Sequence, residues 1–275
     1  MRYRYCFWFV ISLLFTARLL ANDGEVVNQP APEEIIRRVA ATYQSDIDRT
    51  RDYTYVQRAV SQGFDKNGNI TETRTRTLET VILSGEPYRK LIAIDDKLLD
   101  EIELKREEER QNAFLDKLKE ISDEDRKESA ETQAQAFQRE IGDELPYILD
   151  YRIVGDEIIQ GQPVWVIQAT PRKNYKPKSR TTKLFSKFSG RVWVAKADYT
   201  WVKLEAELTE DFSVGLFLFK LHKGLRIEYE STLVDDVWLP VRQSVDMNMR
   251  ALWNTRRGHT ETAYSQHQKF TPDVK

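Results

Sequence analysis

Residues 190–208 read GRVWVAKADYTWVKLEAEL. Val192 and Val194 fall on one face of an extended segment. Val202, Leu204, Ala206 and Leu208 fall on one face of the segment that returns. A period of two identifies strands, because successive side chains of an extended chain point to opposite sides. The stretch reads as a β-hairpin with one apolar and one polar face. Whether this pattern continues outward decides the fold.

It continues in both directions. Downstream, GLRIEYEST (224–232) places Leu225, Ile227 and Tyr229 on one side and Arg226, Glu228 and Glu230 on the other. VWLPVRQSVDMNM (237–249) repeats Val241, Val245, Met247 and Met249, and a last strand spans Glu261 to Phe270. Upstream, YRIVGDEIIQGQPVWVIQATP (151–171) is a hairpin with Gly161 in its turn. DYTYVQRAVS (52–61) is rich in the aromatic and β-branched residues that strands favour. FDKNGN (64–69) has Asn67-Gly68 at the centre of a hairpin turn. ITETRTRTLETVIL (70–83) returns with Thr and charged residues that suit an edge position, and YRKLIAID (88–95) is a third strand. Successive hairpins of this kind predict a large antiparallel sheet, wet on one side and apolar on the other.

Two segments break the period. PEEIIRRVAATYQSDIDR (32–49) carries Ile36, Val39, Ala40 and Tyr43 at helical spacing, with Pro32 and two acids in its first turn. From about 97 to 145 the strand signals vanish. Phe114, Leu118 and Ile121, then Ala130, Ala134, Phe137 and Ile141, mark two charged helices with narrow apolar seams. Sheet and helices together make an α+β fold. One N-terminal helix is narrow for so wide a sheet. A strongly bent sheet closing around that helix, with the acidic helices adding cover, resolves this and leaves an apolar groove.

Composition sets the compartment. Arg2 and Arg4 precede an apolar run, CFWFVISLLF (6–15), and Ala21 is followed by polar Asn22. The run is shorter than the roughly 20 residues that cross a bilayer, so it reads as a signal peptide cleaved after Ala21. An uncleaved membrane anchor is the alternative. Cys6, the single cysteine, lies at the start of the run, so it is not a lipoprotein acylation site. The chain from 22 to 275 then has no cysteine and must stand on its own core, without disulfides or thiol chemistry. The formal net charge of −2 becomes −5 once Arg2, Arg4 and Arg18 are removed, which argues against nucleic acid as a partner. Residues 172–191 hold eight bases and no acid, a basic loop that suits either solvent or anionic lipid.

The order and spacing of these segments resemble the LolA-like superfamily of outer-membrane lipoprotein-sorting proteins, whose fold the LolB and RseB domains share. The resemblance rests on Pro32-Glu33-Glu34-Ile35-Ile36…Tyr43, DYTYVQR, GQPVWVIQATP, GRVWVAKADYTWVKLEAEL, the Leu/Phe run with HKG, and VWLPVRQSVDM. It covers roughly Pro32 to Phe270. Where the lipoprotein carrier has an arginine before a proline, this chain has Glu86 before Pro87, with Arg89 and Lys90 after it. The resemblance implies an α+β fold in which a strongly curved antiparallel sheet forms an incomplete β-barrel, covered by the N-terminal helix and the charged helical insertion. It also implies a non-catalytic periplasmic carrier holding acyl chains of a lipoprotein or lipid in that apolar half-barrel. Each buried methylene would contribute roughly 0.8 kcal/mol. The RseB-like alternative is a sensor that recognises lipoprotein and docks a membrane protein through its acidic helices.

On this basis the cavity candidates are Tyr53, Tyr55, Val192, Val194, Val202, Leu204, Leu225, Ile227, Tyr229 and Met247. Leu216, Phe217, Leu218 and Phe219 are either a flap at the cavity mouth or permanent core. Lys173, Lys176, Lys178, Arg180, Lys183 and Lys187 are candidates for anionic headgroups. Trp201, beside Lys203 and Glu205, is expected on the outer face. His222, His259 and His267 show no metal-binding or triad spacing, and no nucleophile elbow or phosphate loop is present, so no catalytic residue, metal or cofactor is expected.

Overall fold

The computed structural model describes residues 29–271, apart from 215–218 and 253. The proposed signal peptide, Leu216 to Leu218 and Trp253 lie outside the described residues. Within them, β1 (Tyr53–Phe64), β2 (Ile70–Leu83), β3 (Glu86–Ile94) and the short β4 (Lys97–Leu98) are followed by the helical insertion. Then come β5 (Leu149–Ile159), β6 (Gln162–Pro171), β7 (Phe188–Ala195), β8 (Trp201–Leu208), β9 (Phe212–Val214), β10 (Phe219–Leu221), β11 (Arg226–Val234), β12 (Val237–Ala251) and β13 (Asn254–Lys269).

All of them join one antiparallel sheet in the order β4-β3-β2-β1-β13-β12-β11-β8-β7-β6-β5, with β10 on β12 and β9 on β10. Its two edges, β4 and β5, do not pair with each other, so the sheet is an incomplete barrel. Asp65 fixes the β1–β2 turn by accepting the amides of Asn67 and Asn69 at 2.8 Å, and Gly68 takes φ +86°, a value that favours glycine. β13 starts seven residues before the expected Glu261 and lies between β1 and β12. Gly190 lets β7 approach β8 closely: a Cβ there would lie 1.9 Å from the Glu205 carbonyl oxygen.

α1 (Pro32–Thr50) lies on one face of the sheet, here the inner face. Its Ile35 and Ile36 pack with Trp165, Ile167 and Val194, with Val39 and Val192 beside them. Each such buried aliphatic side chain contributes roughly 1.5–3 kcal/mol. A second cluster joins Val164, Val166, Trp193, Ala195, Val202 and Trp238. This explains why residues 164–167 read as an unbroken apolar run: both faces of β6 are covered.

The charged insertion comprises α2 (Glu101–Glu120), α3 (Asp123–Phe137), a π-helical turn (Gln138–Gly142) and α4 (Leu145–Ile148). Asp100 and Glu103 form a capping box at the start of α2, and Ser122 caps α3. α2 docks on β3 at Tyr88, whose ring meets Phe114 and whose hydroxyl donates to Glu107 at 2.8 Å. α3 ends with Phe137 stacked on Tyr43 of α1 at 4.5 Å. The basic segment is not a loop throughout. α5 (Arg180–Phe185) forms behind a Ser179/Thr182 capping box, and β7 already begins at Phe188.

Candidate functional site

Strand register carries the inner face across the sheet, because paired residues of an antiparallel ladder share a face. Val192 pairs with Leu204, Leu204 with Tyr229, Tyr229 with Gln243, and Gln243 with Thr262. Ile227 pairs with Val245, and Met247 with Gly258. With the alternation along each strand, this puts Val192, Val194, Leu204, Leu225, Ile227, Tyr229 and Met247 on the face that bears α1. Val194 and Leu225 are buried, whereas Leu204, Ile227, Tyr229 and Met247 are only part-buried. Tyr53 is 1% exposed and is core, with its hydroxyl buried and unpartnered.

Val202 is in the other cluster, against Trp193 and Trp238. The register slips between Trp193, which faces Lys203, and Val194, which faces Trp201. Val202 is the extra residue of that bulge. The slip also overturns the expected outer placement of Trp201, whose ring packs on Tyr229 with centroids 4.7 Å apart.

Aromatic residues gather around this point. Tyr55 meets Tyr264 at 5.6 Å and His267 at 5.9 Å. Burial pushes the Tyr229 hydroxyl above its ordinary pKa, and the neighbouring hydroxyls of Tyr264, Tyr55 and Tyr43 push it further. The Tyr264 hydroxyl donates to Gln243 at 3.3 Å. Thr80 Oγ1 is buried without a hydrogen-bond partner, and the Asp46 carboxyl lies buried against the Thr200 hydroxyl. Burial raises the pKa of Asp46. The inner face is therefore aromatic and dotted with polar atoms, not purely aliphatic.

Farther along the same face a cavity of about 230 Å³ opens beside Met247, Met249, Gly63 and Gly258. Leu221 of β10 pairs with Met249, so β10 continues the apolar floor from Met249 toward Phe219. Phe219 is thus a strand residue, part-buried, at the edge of that floor. Asp211 pins the base of the β9–β10 hairpin by accepting from Lys220 Nζ at 2.6 Å and the Lys223 amide at 2.8 Å. A larger hollow of about 460 Å³ is lined mainly by outer-face side chains, among them Arg191, Glu205, Glu207 and Arg226. There Arg191 pairs with Glu205 at 2.8 Å and Arg226 with Glu207 at 2.9 Å, so its charges largely satisfy one another.

In the basic segment Lys173, Lys176, Lys178, Arg180 and Lys183 are exposed and form no ion pair among the described residues. Lys187 differs, binding Glu210 at 2.5 Å. Buried Glu144 holds the segment down by accepting from the Tyr175 hydroxyl at 3.0 Å and the Lys178 amide at 2.9 Å. The histidines are scattered: His222 lies 3.6 Å from Asp211, His259 bonds Asp246 at 2.7 Å, and His267 meets the Pro240 carbonyl at 2.8 Å.

Sequence reading missed Met249, Tyr43, Phe137 and Tyr264 as site residues. Met249, Tyr43 and Phe137 stand in the sequence only as members of periodic faces. Their convergence depends on pairing between distant strands and on packing between helices.

No protein-family model matches the chain, and no curated protein matches it. Among solved structures it is similar to an outer membrane lipoprotein-sorting protein domain from Vibrio parahaemolyticus, at 13% identity and TM-score 0.33, over 87% of this chain and 95% of that one. It is similar to a DUF1329 family protein from Desulfovibrio piger, at 14% identity and TM-score 0.28, over 89% and 95%. It is also similar to a LolA superfamily protein from Nitrosomonas europaea, at 9% identity and TM-score 0.27, over 88% and 94%. Nothing about activity follows from scores this low.

Proposed function

We propose that this chain is a non-catalytic periplasmic carrier, exported by cleavage after Ala21, that holds the acyl chains of a lipid or lipoprotein. The observation that carries the reading is the inner face itself. Leu204, Tyr229, Ile227, Met247, Met249 and Leu221 form a continuous apolar and aromatic path that stays part-buried. α1 covers the end near β6 and β7, and the path runs to an open cavity at the other. Removing such a path from water favours an apolar ligand by roughly 25 cal/mol per Å².

The cavity alone is smaller than the roughly 300–1,000 Å³ of small-molecule sites. A long chain therefore extends along the path toward Tyr229. Phe219 stands beside the Met249 floor, which supports the reading of the Leu/Phe run as an apolar lip at the mouth. The exposed lysines of the basic segment are the proposed contacts for anionic headgroups. Purification from the periplasm, followed by native mass spectrometry and lipid extraction, tests the assignment. Copurifying acylated lipid is expected. A tightly bound protein without lipid favours the sensor reading instead.

A further inference from the structure

The inner-face cavity carries charge that holding an acyl chain does not use. Its floor is apolar, made by Met247 and Met249 with Gly63 and Gly258, which pair across β1 and β13. Its rim holds Arg74, Arg256 and Arg257 against one carboxylate, Glu72. Arg74 reaches Glu72 at 3.3 Å, and Arg257 donates to the Lys66 carbonyl at 3.3 Å. Arg256 has no ion pair among the described residues. Register places Arg74 opposite Ser61 and Arg256 opposite Met249, so both stand on the face that bears Met247.

We propose that this cavity binds the anionic end of an amphiphile, with a carboxylate or phosphate between Arg74 and Arg256 and the first carbons of its chain on the two methionines. Guanidinium groups match the oxygens of both anions with paired hydrogen bonds. Methionine is flexible and polarizable, so it follows an alkyl chain without a fixed shape. The proposal rests on the carrier reading and adds a direction: head at the β1–β2–β12–β13 end, tail running past Val245 and Ile227 toward Tyr229.

The test is calorimetric titration of the delipidated full chain with dodecanoate, dodecyl phosphate, neutral dodecyl maltoside and inorganic phosphate, all below micellar concentration. The two anionic amphiphiles are expected to bind at least tenfold tighter than the neutral one, with the gap shrinking in high salt. Arg74→Gln with Arg256→Gln should close the gap and leave binding of the maltoside and thermal melting unchanged. The double Lys variant should keep part of it. Equal binding of neutral and anionic chains to the unaltered protein overturns the proposal and leaves the carrier reading intact. Inorganic phosphate binding as tightly as dodecyl phosphate also overturns it, since the site would then read the anion alone. If no alkyl chain binds, the carrier reading itself falls, and this proposal with it.

Discussion

Trp201 packs on Tyr229, with ring centroids 4.7 Å apart and planes 32° from parallel. Strict alternation would have put Trp201 with Lys203 and Glu205 on the outer face. One extra residue, Val202, reverses this by entering the cluster of Trp193 and Trp238. The bulge therefore supplies the inner face with an indole against Tyr229, whose own hydroxyl feels those of Tyr264, Tyr55 and Tyr43.

That position makes Trp201 a reporter. Titration with dodecanoate is expected to shift tryptophan emission, and Trp201→Phe should abolish most of the shift while keeping the fold. If the full shift persists in Trp201→Phe, the ligand path does not pass this residue.

The α1 contact should dominate stability. Ile36 is 4% exposed against Trp165 and Val194, whereas Ile47 on the same helix is 38% exposed. Ile36→Ala is expected to cost about 2–5 kcal/mol, because it leaves a cavity where the surroundings relax only partly. Ile47→Ala should change stability by less than about 0.5 kcal/mol beyond any helix-propensity gain. Urea unfolding of the two variants checks the contrast, and similar losses would mean that α1 is not seated as described.

Much of this was legible in the chain. The hairpin 190–208 gave its strands through alternation, and Asn67-Gly68 and Gly161 gave turns through backbone conformation. The helix at 32–50 announced itself through Ile36, Val39, Ala40 and Tyr43. What could not be read is non-local. β13 enters between β1 and β12 through pairing over some two hundred residues, as with Gln62 and His259, and nothing in either segment names the other. Single bulges moved Val202 and Trp201 to faces that a strict period of two forbids. Ser179 and Thr182 were a readable signal for α5, masked by the surrounding lysines. Of the site, the faces of Leu204, Ile227, Tyr229 and Met247 followed from alternation. The meeting of Arg74, Arg256 and the two methionines did not, because it joins three strands, β2, β13 and β12, that are distant in sequence.

The docking of the insertion can be loosened at one side chain. Glu107 is 5% exposed, accepts from the Tyr88 hydroxyl at 2.8 Å and pairs with Arg110 at 2.6 Å. Glu107→Ala leaves the buried Tyr88 hydroxyl without its acceptor and removes the carboxylate partner of Arg110, whose guanidinium still donates to that hydroxyl at 3.1 Å and to the Arg89 carbonyl at 3.0 Å. The expected loss is about 2 kcal/mol, at the lower end for a buried charge because Arg110 is half exposed. Glu107→Gln, which keeps an acceptor for Tyr88, should lose less. Hydrogen exchange in residues 101–120 should rise in both, and more in the alanine variant. No difference between either variant and the unaltered chain would mean that Tyr88 and Phe114 alone hold the helix.

Acid should release the hairpin that borders the mouth. Lys220 and the Lys223 amide hold the Asp211 carboxyl down to about 2, with a further contribution from His222. An unfolded aspartate titrates near 3.9. The folded state thus binds this proton less readily than the unfolded one, so the stabilisation is complete above about pH 4 and disappears as pH falls toward 2. The Asp211 side chain is 39% exposed and solvent screens the pair, which limits the effect to less than about 1 kcal/mol. The Lys223 amide resonance, followed by NMR, should move with a midpoint near 2 and stop responding in Asp211→Asn. A midpoint near 4 would mean that the carboxylate does not hold the β9–β10 base, and Phe219 would lose the anchor that keeps it beside the Met249 floor.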